Sequence, residues 1–243
     1  FSPATYDNPD NTSGFYRLQF DVPKSWDGRA VLIDFDGVQN GAEFWLNGQP
    51  VNVDRSSWGR KNYHESGWTA FQVDLTPHVK YGEKNLLAIR VTKNTKSVDL
   101  DTGDYFFLGG IYRTVTLFSV PKVHFEDVTI TTRFQGYDIG NVTVDASGVD
   151  PRFPMDYLIE GERKGSILHP RLLSAEHPNL YTIHVILKDP EGHEIERVTR
   201  RFGFREVTIK DGGCLLNGKP IKMEGICRHD VSAQDGSAVG PDL

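Results

Sequence analysis

Cysteine is scarce in this chain. Cys214 and Cys227 are the only two in 243 residues, so at most one disulfide can form and a disulfide-stapled scaffold is excluded. Their spacing matches neither a zinc site nor a redox Cys-x-x-Cys pair, and both read as small buried side chains. Basic charge is not in excess either: 27 Lys+Arg stand against 33 Asp+Glu, a formal charge of −6. Nucleic acid and anionic membranes both call for a basic face, so neither is an expected partner. No apolar run approaches the roughly 20 residues that span a bilayer, and Phe1-Ser2-Pro3 lacks the charged-then-apolar order of a signal peptide. Gly-rich phosphate loops and Gly-x-Ser-x-Gly elbows are missing, and His169, His177, His184 and His193 show no ligand spacing. The sequence therefore implies no metal or nucleotide cofactor. Asn11-Thr12-Ser13 and Asn141-Val142-Thr143 fit the glycosylation pattern, a motif too short to assign a compartment.

Helical periodicity is scarce as well, and what replaces it has period 2, the mark of half-buried antiparallel strands. Tyr16, Leu18, Phe20 and Val22 share one face of a first strand; Val31, Ile33 and Phe35 share one face of a second, with Asp34 and Asp36 turned away. Ala42-Glu43-Phe44-Trp45-Leu46 runs into Asn47-Gly48, a pair favoured where both residues of a tight hairpin need positive φ. Further strands are read at about 68–75, 85–92 and 111–119. Six or more strands before Pro121 predict a β-sandwich with a domain boundary near residue 121. A second set starts at about Val123–Phe134, and its clearest member alternates Tyr181, Ile183, Val185 and Leu187 before a turn at Asp189-Pro190-Glu191-Gly192 and a return strand through Ile195–Phe204. This suits a small immunoglobulin-like sandwich. Between Ser147 and Pro178 the pattern fades, so the second domain is expected to be abbreviated or to lack a segment. After it come Val207-Thr208-Ile209, Cys214-Leu215-Leu216, a second Asn-Gly turn at Asn217-Gly218, and the apolar run Ile221–Cys227 leading to Arg228-His229-Asp230. A strand followed by that polar tail suits the first strand and loop of a barrel.

Four stretches together resemble the N-terminal part of glycoside hydrolase family 2, the β-galactosidase and β-glucuronidase family. They are Phe35-Asp36-Gly37-Val38 with Phe44–Gly48; Asp104–Arg113; Ser174–Tyr181; and Leu216–Pro220 leading to Gly225–Asp230. The resemblance implies a jelly-roll sandwich over 1–121, an immunoglobulin-like sandwich over 122–207, and the start of a truncated (β/α)8 barrel over 208–243. It implies a retaining mechanism run by two glutamates on later barrel strands, so no residue of this chain is expected to be catalytic. It also implies that Asp104 accepts hydrogen bonds from sugar hydroxyls, and that His229 and Arg228 contact substrate at the end of the first barrel strand. Cys227 and Asp230 depart from the residues usual there. The expected partner is a β-galactoside, with a homo-oligomer of the full-length enzyme left open. A stand-alone carbohydrate-binding module is the competing reading, but such a module has no use for a barrel-like tail.

Four tryptophans occur. Trp45 alternates with Phe44 and Leu46 and reads as packing, whereas Trp58 and Trp68, beside Gly59 and Gly67, are read as loop residues for which sugar stacking stays open.

Overall fold

The structure, a computed structural model, describes residues 12–101, 108–162 and 165–240. The chain is all-β and forms two compact units: the residues up to Lys122 together with those from Cys227 onward make one, and Val123–Ile226 make the other. The first contains β1 (Ser13–Asp21), β2 (Ala30–Phe35), β3 (Val38–Gln39), β4 (Gly41–Leu46), β5 (Gln49–Pro50), β6 (Asn52–Val53), β7 (Tyr63–Glu65), β8 (Phe71–Asp74), β9 (Lys84–Thr92), a short helix α1 (Val98–Asp101), β10 (Gly110–Ile111) and β11 (Val115–Val120). One sheet runs β1-β9-β4-β5 with β7 also on β4, a second runs β11-β2-β8-β6, and β3 pairs with β10.

The period-2 pattern explains the core between these sheets. Ile33 and Phe35 register against Val73 and Phe71, while Phe44 and Leu46 register against Ile89 and Leu87. These side chains form one buried cluster. At its centre the Phe35 ring lies 5.1 Å from Phe44 and 5.3 Å from Phe71. Burying each such ring stabilises the fold by about 1.5–3 kcal/mol. The β4–β5 turn forms at Asn47-Gly48, with φ of 51° and 84°, the left-handed values a two-residue hairpin of this hand requires. β1 departs from the expected half-buried pattern. Its register puts Tyr16 and Leu18 on the face of Ile89 and Leu87, yet both are exposed, because β1 pairs only with β9 and stands at the sheet edge.

The second unit contains β12 (Asp127–Gln135), β13 (Ile139–Ser147), β14 (Met155–Ile159), β15 (Ser166–Leu168), β16 (Tyr181–Lys188), β17 (Glu194–Phe202), β18 (Val207–Lys210), β19 (Gly213–Leu216) and β20 (Lys219–Pro220). Its sheets are β12-β13-β15, β14-β16-β17 and the meander β18-β19-β20. β14 and β15 occupy the stretch where the sequence pattern fades, so that region does contribute strands to the sandwich. β14 hides because Met155 and Leu158, on opposite faces, are both exposed, and a three-residue β15 is too short to show a period. Phe204 is fully buried among Phe134, Tyr181 and Phe202. Its ring occupies the space over Gly140, where any Cβ would stand 2.4 Å from Cε1; only glycine fits.

In the meander, Val207 and Ile209 register against Leu216 and Cys214, giving one apolar face on which Ile209 is 83% exposed. The cysteines are not buried as expected: Cys214 is half-buried on that open face, and Cys227 is exposed. The strand expected over Ile221–Cys227 forms no ladder. Its alternating pattern is present, but a strand exists only where a neighbouring edge takes up its N–H and C=O groups.

Candidate functional site

Of the residues that the sequence singles out, Asp104 lies outside the described residues. Its flanks, Asp101 at the end of α1 and Leu108, are described. Arg228 and His229 are exposed in the segment without a ladder. Arg228 Nε sits 2.7 Å from Asp230 Oδ1, both side chains well solvated, so the pair contributes about 0–1 kcal/mol. Farther along the tail, Ser232 and Gly236 exchange backbone hydrogen bonds of 2.9 and 3.0 Å. A Cβ on Gly236 would stand 2.4 Å from Leu108 Cδ1, so the tail lies against Leu108, the first described residue after Asp104 in the sequence. The described residues thus bring the tail and Leu108 together. They do not show Asp104 itself in contact with Arg228 or His229.

Sequence reasoning missed a continuous hydrogen-bonded network built from β7, α1 and the turns around them. Glu65 is its hub. Its Oε2 accepts the Tyr63 hydroxyl at 2.8 Å and the Trp58 indole N–H at 2.5 Å, and its Oε1 accepts the Ser97 backbone N–H at 2.5 Å. Burial works against the Glu65 charge, but the hydrogen bonds from Tyr63, Ser97 and Trp58 outweigh it and hold the carboxyl below its ordinary range. Burial, then the bond to Glu65, pushes the Tyr63 hydroxyl up. A carboxylate so fully engaged is an anchor and not a proton-transfer group.

From Ser97 the network continues. The Ser97 hydroxyl lies 3.0 Å from Asp101 Oδ2 and 3.1 Å from Asn40 Oδ1. Asp101 Oδ2 also accepts the Gly67 N–H at 3.0 Å, while the Asp101 carbonyl accepts the Trp68 indole N–H at 2.8 Å. The Tyr112 hydroxyl donates to the Gly67 carbonyl at 2.7 Å. Nearby, Gln39 is completely buried and neither atom of its side-chain amide has a partner among the described residues. Glu43, also buried, pairs one carboxylate oxygen with Arg60 and the other with Arg90. The Arg60 guanidinium lies 4.4 Å from the Tyr63 ring centroid. His64 stacks on Phe71 at 3.9 Å and has Nδ1 2.8 Å from the Arg55 carbonyl; burial pushes its pKa down. The one sequence signal for any of this is a charge, Glu43, inside an apolar strand.

Comparison with known proteins identifies the family. The family model described as "Glycosyl hydrolases family 2, sugar binding domain" matches residues 2–121, and the model "Glycosyl hydrolases family 2" matches residues 126–205. The beta-galactosidase large subunit of Latilactobacillus sakei is 30% identical over 260 residues, covering 98% of this chain, and the beta-galactosidase of Clostridium acetobutylicum is 29% identical over 250 residues, covering 94%. The chain spans 39% and 26% of the lengths of those two relatives. The solved FMN-binding beta-glucuronidase from Facaelibacterium prausnitzii L2-6 superposes with a TM-score of 0.78 at 25% identity, over 95% of this chain and 38% of that one. Two β-sandwiches in tandem define the class, a modular all-β chain of the kind that glycosidases carry. The chain belongs to glycoside hydrolase family 2.

Proposed function

We propose that this chain is the N-terminal portion of a retaining exo-β-glycosidase that hydrolyses terminal β-galactosides. Its first two domains, over 1–121 and 122–207, shape the mouth of a barrel that begins in 208–243. The observation that carries the reading is the packing of Gly236 against Leu108, by which the segment after Arg228-His229 meets the first described residue after Asp104 in the sequence. In this reading Asp104, Arg228 and His229 contact the sugar. A carboxylate suits Asp104 because it accepts charge-assisted hydrogen bonds from two vicinal hydroxyls at once. The two catalytic carboxyls lie beyond these residues, and a retaining enzyme holds them about 5–5.5 Å apart so that one can attack the anomeric carbon directly. The names of the curated relatives favour galactosides; those of several solved neighbours favour a β-glucuronidase-type member.

The test is to express the chain together with whatever coding sequence follows it. The longer product is expected to cleave a chromogenic β-galactoside faster than the β-glucuronide, with net retention seen by NMR of the first-formed sugar, while the 243-residue chain cleaves neither. Asp104→Ala in the longer product removes a charged hydrogen bond of about 1.5–3 kcal/mol, which is roughly a 10- to 150-fold loss in kcat/KM. Turnover by the short chain, or an Asp104→Ala product with unchanged kcat/KM, would overturn the assignment.

A further inference from the structure

Two large apolar side chains stand out on the surface of the first unit, Trp58 at 61% and Trp68 at 40% exposure. Neither is loosely held. Each indole N–H is tied inward, Trp58 to Glu65 and Trp68 to the Asp101 carbonyl, and the two anchors are joined through Ser97, which donates its backbone N–H to Glu65 and places its hydroxyl on Asp101. One network therefore fixes both rings through Glu65, Ser97 and Asp101. Trp58 sits at φ 56°, followed by Gly59 at 71°. A bulky residue in the left-handed region is an outlier, and such strain persists where the surroundings over-determine it, most often at binding sites. The loop meets that condition: the Ser57 N–H donates to the Tyr63 carbonyl at 2.8 Å, the Arg60 N–H to the Ser57 carbonyl at 3.1 Å, and the Glu65 N–H to the Ser57 hydroxyl at 3.0 Å. Cations lie over the rings, the Lys96 ammonium 5.1 Å from Trp58 and the Arg113 guanidinium 5.8 Å from Trp68, and Tyr112 meets Trp68 edge-on at 6.1 Å.

Folding alone needs none of this, since an exposed indole buries little apolar area and contributes little to stability. We infer that Trp58 and Trp68 form a two-ring platform that binds a β-linked oligosaccharide. The apolar C–H faces of two pyranose rings of one oligosaccharide lie on the indoles, and Lys96 and Arg113 donate hydrogen bonds to the hydroxyls around them. The chemistry fits: each ring is exposed, carries a cationic donor over its face, and has its own N–H already satisfied, so binding breaks no hydrogen bond of the protein. In the glycosidase reading above, on which the choice of sugar rests, this platform holds the part of the substrate beyond the terminal sugar.

The 243-residue chain tests this without any catalysis. Its four indole N–H signals, from Trp26, Trp45, Trp58 and Trp68, are followed by 15N NMR during titration with β-1,4-galactotriose and, separately, cellotriose. Saturable shifts at Trp58 and Trp68, with Trp26 and Trp45 unmoved, are expected for galactotriose. Trp58→Ala should weaken binding roughly tenfold, as loss of an aromatic anchor does, and Trp58→Phe, which keeps a ring, should weaken it less. Trp68→Ala serves as the second variant if Trp58→Ala disturbs the loop. Absence of saturable shifts with either sugar, or binding that both alanine variants leave unchanged, overturns the platform. If the short chain binds galactotriose while the longer product cleaves no β-galactoside, the platform stands and the proposed activity falls.

Discussion

The two sandwiches bury different things. The first encloses Gln39, Asn40, Glu43, His64, Glu65 and Asn85, whereas among the described residues the interior of the second is apolar. The charges of the second pair at its surface instead: Arg152 with Asp150, Arg197 with Glu194, His193 with Asp189. Taking a carboxylate out of water costs several kcal/mol, recovered only by good pairing and further hydrogen bonds. A scaffold has no reason to accept that cost, and the second sandwich does not. The first accepts it at Glu43, paired with two arginines, and at Glu65, which holds the Trp58 indole N–H.

The comparison can be broken most severely in the second core. Phe204→Ala removes a fully buried ring and should destabilise that sandwich by about 3–5 kcal/mol, a large part of a typical domain's stability. Hydrogen exchange should then quicken through Tyr181–Lys188 and stay slow through Ala30–Phe35; equal loss in both would show that the units do not fold separately. Next is Glu43→Gln, which keeps the volume but strands two arginines. Because Arg60 and Arg90 are nearly half-exposed, solvent screens part of the penalty, and urea unfolding of the first sandwich should report a loss of about 1–3 kcal/mol. A negligible change would mean the buried charge is of no consequence.

Acid should act on the first sandwich in a set order. His64 has a depressed folded pKa, so the unfolded chain takes up its proton first, and the associated stability, present above about 6.5, declines as pH falls below that value. Glu65 is also depressed, and its contribution is lost in turn below about 4.3, the ordinary glutamate value. The urea midpoint of the first sandwich should therefore slope downward from about pH 7 to 5, and His64→Phe should flatten that slope; an unaltered slope would remove His64 from the account. The smallest effect belongs to Asp150→Asn. Bonding to Arg152 lowers the Asp150 carboxyl to about 2, but the pair is solvent-exposed, so thermal melts at neutral pH should not distinguish the variant from the parent.

These contrasts bear on how much could be read from residues in order. Alternating strands declared themselves: Val31, Ile33 and Phe35, and Tyr181, Ile183, Val185 and Leu187, alternate because they share the side that joins the core, and Asn47-Gly48 names its own turn. β14 did not, because Met155 and Leu158 expose apolar groups on both faces. The cysteines misled because residue type predicts burial only where a sheet exists to cover it, and none covers Cys227. Asp104, Arg228 and His229 came from family resemblance and not from periodicity. The Glu65 network was invisible for a different reason: Trp58, Ser97 and Asp101 meet Glu65 and one another only once the strands fold back, and no local spacing encodes that.

The ladderless stretch after β20 has a practical consequence. Proteases need an extended, accessible backbone, and the residues around Lys222 and Arg228, exposed and outside any sheet, present it. Brief trypsin treatment should cut there before it reaches the sandwiches, freeing the tail from Leu108 and leaving both cores whole. The same exposed Ile221–Cys227 run carries a strand-like alternation with no ladder among the described residues, so purified chains stored at high concentration should pair through it, and clipped material should stay in solution longer than intact material.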